Sequence, residues 1–175
     1  PAPGTPALQL LRNRCFDELS VGDSASIERT LTPEDIQLFA VMSGDVNPAH
    51  LDPEYAAATQ FQGVIAHGMW GGALISAVLG TRLPGPGTVY LGQTLKFRHP
   101  VRVGDTLHIS ATVLTLDAAS QRVTLACACV NQHGKTVIDG EATVLAPTEK
   151  IERYAATLPA LRMRLADGLP RLLEH

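Results

Sequence analysis

Gly63-Val64-Ile65-Ala66-His67-Gly68-Met69-Trp70-Gly71-Gly72-Ala73-Leu74-Ile75-Ser76-Ala77-Val78-Leu79-Gly80-Thr81 contains no Asp, Glu, Lys or Arg. The run nearly reaches membrane-spanning length, but it is broken by His67, Ser76 and several glycines and has no aromatic or basic anchors at both ends. It reads instead as a helix from about His67 to Arg82, apolar on every side and so buried at the centre of a soluble domain. Leu83-Pro84-Gly85-Pro86-Gly87 ends it.

Everything downstream has strand character. Thr88 to Arg98, Thr106 to Leu116, Arg122 to Asn131 and Thr136 to Leu145 are separated by turn signals at Gly104-Asp105, Asp117 to Ser120 and His133-Gly134. Upstream, Ser24 to Thr30 predicts a first strand. Thr32-Pro33-Glu34-Asp35 predicts a helix start with Thr32 as N-cap, carrying the apolar stripe Ile36, Phe39 and Ala40 and stopping at Gly44. After the loop Gly44 to Leu51, Asp52-Pro53-Glu54 opens a short helix to about Thr59. One early strand, one long apolar helix and four further strands predict an α+β domain whose antiparallel sheet wraps around that central helix, the hot-dog arrangement. The domain is expected to span residues 13–146. A flexible leader over 1–12 precedes it, and a tail over 147–175 follows, helical around Ala160 to Asp167.

At 175 residues and 45% hydrophobic content the chain suits one core. A formal charge of −3 with mixed signs gives no basic field to gather nucleic acid or an anionic membrane. The three cysteines, Cys15, Cys127 and Cys129, are an odd set without a secretory leader, which points to a reducing compartment and a cytoplasmic location. Cys127 and Cys129 are expected as small apolar residues on one strand face. No Cys/His grouping has zinc-site spacing, so no metal is expected. The chain has no Gly-x-Ser-x-Gly elbow, no dinucleotide fingerprint and no P-loop, which lowers the serine hydrolase, dehydrogenase and kinase readings.

Chemistry concentrates in Ser43-Gly44-Asp45-Val46-Asn47-Pro48-Ala49-His50, where a carboxylate, an amide and an imidazole flank a proline. Hydration of an enoyl thioester needs a base for the attacking water and an acid for Cα, and a carboxylate and a histidine sharing one water serve both ends. Spacing alone leaves a plainer reading open, with Asp45 capping a turn and His50 a structural histidine.

The same segment closely resembles the hydratase motif of the MaoC-like, R-specific enoyl-CoA hydratases. Asp52-Pro53-Glu54-Tyr55-Ala56 continues the similarity. So do Val64-Ile65-Ala66-His67-Gly68-Met69, Tyr90-Leu91-Gly92-Gln93, Phe97, Pro100, Val101 and Gly104-Asp105, in order over roughly Phe16 to Ala146. The resemblance implies that Asp45 and His50 hold and activate the water and that Asn47 shapes the site. It further implies that the Gly68 N–H, at the first turn of the apolar helix, stabilises the enolate oxygen. His67, Met69, Trp70 and Gly92 are the expected substrate contacts, with donation to a backbone carbonyl the alternative for His67 and the Trp70 ring able to shorten the acyl pocket. Gly71 and Gly72 are expected to serve close helix-to-sheet packing, and Lys96, Arg98 and Arg102 a solvated strand face.

The implied substrates are enoyl-CoA and 3-hydroxyacyl-CoA, the only CoA being that of the substrate, with no further cofactor. The implied assembly is a homodimer or a higher homo-oligomer. The alternatives are a hot-dog thioesterase, which releases free thiol, and a noncatalytic acyl-CoA-binding module. Through Ala146-Pro147-Thr148-Glu149-Lys150 the chain is also similar to the N-terminal hydratase domain of bifunctional proteins that continue into a phosphate acyltransferase.

Overall fold

The computed structural model describes residues 9–159 and 161. In chain order the elements are β1 (Leu10–Arg12), β2 (Ser24–Thr30), α1 (Pro33–Ser43), α2 (Pro48–Leu51), α3 (Pro53–Ala58), α4 (Gly68–Thr81), β3 (Val89–Phe97), β4 (Thr106–Asp117), β5 (Arg122–Asn131), β6 (Thr136–Leu145) and β7 (Glu152–Tyr154), with a 3₁₀ turn at Phe16–Glu18. β2-β4-β5-β6-β3 form one antiparallel sheet. The helix α4 lies against it, which is the hot-dog arrangement the sequence predicts.

The core follows from strand alternation. Leu107, Ile109, Ala111 and Val113 of β4 and Val123, Leu125, Cys127 and Cys129 of β5 all point to one face and are buried. Ile75, Val78 and Leu79 of α4 fill the space against them. Each such large side chain contributes about 1.5–3 kcal/mol by leaving water. Close approach of helix and sheet needs missing side chains. A Cβ at Gly71 would overlap the Ile138 Cδ1, and one at Gly72 would sit 3.2 Å from Leu95 Cδ1.

Local chemistry sets the helix boundaries. Thr32 Oγ1 accepts from the Asp35 N–H at 3.2 Å while the Asp35 carboxylate accepts from the Thr32 N–H at 3.1 Å, a reciprocal cap at the start of α1. Gly44 ends α1 in the left-handed region at φ 75°. The stretch expected as loop up to Leu51 contains the extra turn α2, because Pro48 occupies its first position and the Asn47 side chain accepts from the Ala49 N–H at 3.0 Å. Of the described residues, none belongs to a helix long and apolar enough to cross a membrane.

The expected boundaries at 12 and 146 need correction. Leu10–Arg12 pairs with Glu152–Tyr154, so both flanks hold strand where leader and tail were expected. Asn13 clamps the join: its side chain donates to the Glu149 carbonyl at 2.8 Å and accepts from the Ile151 N–H at 2.9 Å. Lys150 and Glu18 add an ion pair at 2.6 Å. Apart from Leu161, the helix expected around Ala160 to Asp167 lies outside the described residues.

Candidate active site

The end of α1, the short α2 and the first turn of α4 meet around a cavity of about 640 Å³. Asp45, His50, His67, Gly68, Met69 and Trp70 all line it. Asp45 leaves α1 just after the Gly44 cap. Its Oδ1 accepts from the Asn47 N–H at 3.1 Å, and no donor among the described residues reaches its Oδ2. His50 is carried by α2, so the Asn47 cap and Pro48 fix where its imidazole stands.

The two imidazoles are set in definite tautomers. His50 Nδ1 lies 2.8 Å from the Ile65 carbonyl, which can only accept, so Nδ1 holds the proton and Nε2 keeps a bare lone pair. His67 Nε2 likewise donates to the Asp45 carbonyl at 2.9 Å. The two rings pack at a tilt of 33° with centroids 4.0 Å apart, and Phe39 lies 4.9 Å from the His67 ring. One donor atom from each of Asp45, His50 and His67 falls within 4.8 Å of the others. As a metal site the cluster is short of donors: the Asp45 carboxylate and His50 Nε2 are open, but His67 spends Nε2 on a carbonyl and its Nδ1 is buried. Protein zinc sites take three or four ligands.

His67 is 3% exposed, and burial pushes its pKa below the ordinary 6.5, aided by the neighbouring His50 and opposed by the bond to Asp45. A lowered histidine value means the unfolded chain takes up the proton first as the solution acidifies. The stabilisation is whole above about pH 6.5 and is lost as pH falls through the folded value. Urea midpoints at pH 7 and pH 5 should show this loss in the parent and a smaller one in His67→Gln. Equal losses in the two proteins would contradict it.

At Gly68 no protein acceptor among the described residues meets the backbone N–H, which opens α4 at the positive end of its dipole. A Cβ there would stand 2.8 Å from Phe97 Cε1, so the position also serves packing. Such a donor suits an oxygen that gains negative charge.

Of the other expected contacts, Met69 is exposed at the cavity and Trp70 is buried in its wall. His67 lines the cavity, but its Nε2 donates to the Asp45 carbonyl and its Nδ1 is buried. Gly92 does not join the site. It lies at the bulge of edge strand β3, where a Cβ would meet nothing within 4 Å, away from the cavity-lining end at Phe97. Asn47 contributes through its cap and not as a wall. Arg98 pairs with Asp139 at 3.0 Å, and Arg102 donates to the Phe61 carbonyl. Arg98 also lines the cavity, as do Phe61, His99 and Ile138, the last three without any signal in the sequence to mark them.

The chain is similar to several known proteins. The MaoC like domain family matches residues 22–128. The chain is 50% identical to the (R)-specific enoyl-CoA hydratase of Rhodospirillum rubrum over 75% of this chain and 91% of that protein. It is 45% identical to the 3-hydroxybutyryl-CoA dehydratase of Methylorubrum extorquens over 90% and 96% of the two. The unliganded R-hydratase PhaJ1 from Pseudomonas aeruginosa superposes with a TM-score of 0.85 at 49% identity, covering 89% of this chain and all of that one. With its Asp/His loop and its hot-dog sheet, and with the family match running through both, the chain belongs to the MaoC-like domain family.

Proposed function

We propose that this protein is an (R)-specific enoyl-CoA hydratase, adding water reversibly to a trans-2-enoyl-CoA to give the (R)-3-hydroxyacyl-CoA. The observation that carries the reading is the convergence of the Asp45 carboxylate, the His50 imidazole and the Gly68 N–H on one cavity. Water held between the Asp45 carboxylate and the bare His50 Nε2 attacks Cβ as the pair removes its proton. Electron density moves through Cα onto the thioester oxygen, which the Gly68 N–H stabilises. The pair then protonates Cα and the thioester carbonyl re-forms, so water is consumed and no other group is needed. The configuration at Cβ rests on the likeness to R-specific relatives. Three buried, unpaired cysteines fit a reducing cytoplasm.

Loss of the enoyl absorbance of crotonyl-CoA tests the reading. Free thiol appearing instead would favour thioester hydrolysis at the same site, and binding without either change would favour a noncatalytic module.

We also propose a homodimer. β3 is an outer strand of the sheet and presents Val89, Leu91 and Phe97 at 52%, 46% and 54% exposure. The opposite edge, β2, is Ser24-Ala25-Ser26-Ile27-Glu28-Arg29-Thr30, polar enough to stand in water. An apolar open edge invites pairing with a second sheet. Sedimentation at micromolar concentration should show a dimer. A fully active monomer would refute it. Because Phe97 also touches the cavity region, bound acyl-CoA would lie near the subunit boundary.

A further inference from the structure

We propose that His67 is a positioning residue that ties the acid–base loop to the first turn of α4, keeping Asp45 and His50 in register with the Gly68 N–H. This rests on the hydratase reading of those three groups. The Asp45 segment is exposed, and its other hydrogen bonds are local: the Asp45 N–H donates to Ser43 Oγ at 3.2 Å, and Oδ1 accepts from the Asn47 N–H at 3.1 Å. Among the described residues, the 2.9 Å bond from His67 Nε2 is the one hydrogen bond joining Asp45 to a distant part of the chain. Its donor sits one peptide bond from Gly68. A single side chain thus spans the gap between the groups that handle the proton and the N–H that receives the developing charge.

The His67 ring does a second job. It packs, tilted, against His50, whose own Nδ1 is fixed by Ile65, so the general base is held by a hydrogen bond at one atom and by the ring at 4.0 Å. Phe39 of α1 also packs on His67. The nitrogens suit holding the loop more than moving a proton, one donating to the Asp45 carbonyl and the other buried without a partner among the described residues. That unpartnered Nδ1 costs stability. A leucine of similar bulk would avoid the cost, so His67 stands here at the expense of stability, and holding Asp45 accounts for it.

His67→Leu and His67→Gln separate this role from simple packing, since the glutamine amide nitrogen reaches where Nε2 stands and leucine has no donor. With crotonyl-CoA, His67→Leu should lower kcat about 10²-fold, the loss typical of a misplacement near 1 Å. KM should change little, and the urea midpoint should not fall. His67→Gln should recover kcat to within about tenfold of the parent. Amide exchange at Asn47, whose N–H depends on Asp45 being in place, should quicken in His67→Leu and not in His67→Gln. Unchanged kcat in His67→Leu, a kcat loss that tracks lost stability, or glutamine no better than leucine would each overturn the proposal. A parent inactive on enoyl thioesters would instead remove the hydratase reading, and the exchange measurement would then decide the tether alone: unchanged exchange at Asn47 refutes it.

Discussion

Asp45→Asn and His50→Gln should each lower kcat for enoyl-thioester hydration by about 10²- to 10⁴-fold, the usual contribution of a general acid or base. That corresponds to about 3–5.5 kcal/mol of barrier. Folding should hardly change, because Asp45 is exposed and His50 only half-buried, on a turn already fixed by the Asn47 cap and Pro48. His50→Gln retains a side chain able to donate, but it removes the basic Nε2 that faces the cavity. Asp45→Asn keeps an oxygen for the Asn47 N–H and removes the charge. If the pair acts on one water, the double variant should be only slightly worse than either single one, since the second change removes a function already lost. Losses that multiply would point to independent roles. Near-parent hydration by either single variant, with an unchanged circular dichroism spectrum, would return Asp45 to a turn cap and His50 to a structural histidine.

Gly140→Ala should be the most damaging small substitution for the fold. A Cβ at Gly140 would fall on the Thr94 carbonyl oxygen and stand 2.7 Å from the Thr94 carbonyl carbon and 3.1 Å from Leu95 Cα. These are backbone atoms of the neighbouring strand, so no rotamer change relieves the overlap. β3 itself must move away from β6. Overpacking costs about 1–3 kcal/mol and occasionally more, and with backbone on the far side the upper end or beyond is expected. Function should suffer as well, since β3 ends in Phe97, which lies against Gly68 and the cavity. Urea denaturation with crotonyl-CoA hydration measured in parallel checks both effects. Gly92→Ala on the same strand is the control, because a Cβ there meets nothing within 4 Å and the change should stay within about 0.5 kcal/mol. Equal midpoints for the two variants would contradict the argument.

The contrast between these glycines shows what the sequence can convey. Gly44 was legible as a helix stop because left-handed caps follow local rules, and Thr32, Pro33 and Asp52 announced their helices for the same reason. The burial of Cys127 and Cys129 was legible from alternation. The close approach at Gly140 was not, since it depends on how β3 pairs with β6, a strand distant in sequence. β1 and β7 were missed on similar grounds: three-residue strands carry no usable period, and they form through contacts between the chain's two flanks, the Asn13 clamp among them.

The site divides in the same way. Asp45, Asn47 and His50 lie together in one short segment and could be found there, with Gly68 at the start of the apolar helix. Phe61 and His99 reach the cavity only through folding. Gly92 belongs to a recognisable motif and still lies outside the cavity, because the bulge on an edge strand places it apart from the lining end. His67 was expected to touch substrate or to donate to a carbonyl. The geometry selects the second role and identifies the carbonyl as that of Asp45 itself.

The most direct test of the central claim is to identify the product formed from crotonyl-CoA and assign its configuration with dehydrogenases of opposite stereospecificity. The account predicts 3-hydroxybutyryl-CoA that is oxidised by the R-specific partner alone, with the thioester intact. Unchanged crotonyl-CoA, crotonate with free CoA, or a product accepted only by the S-specific partner would contradict it.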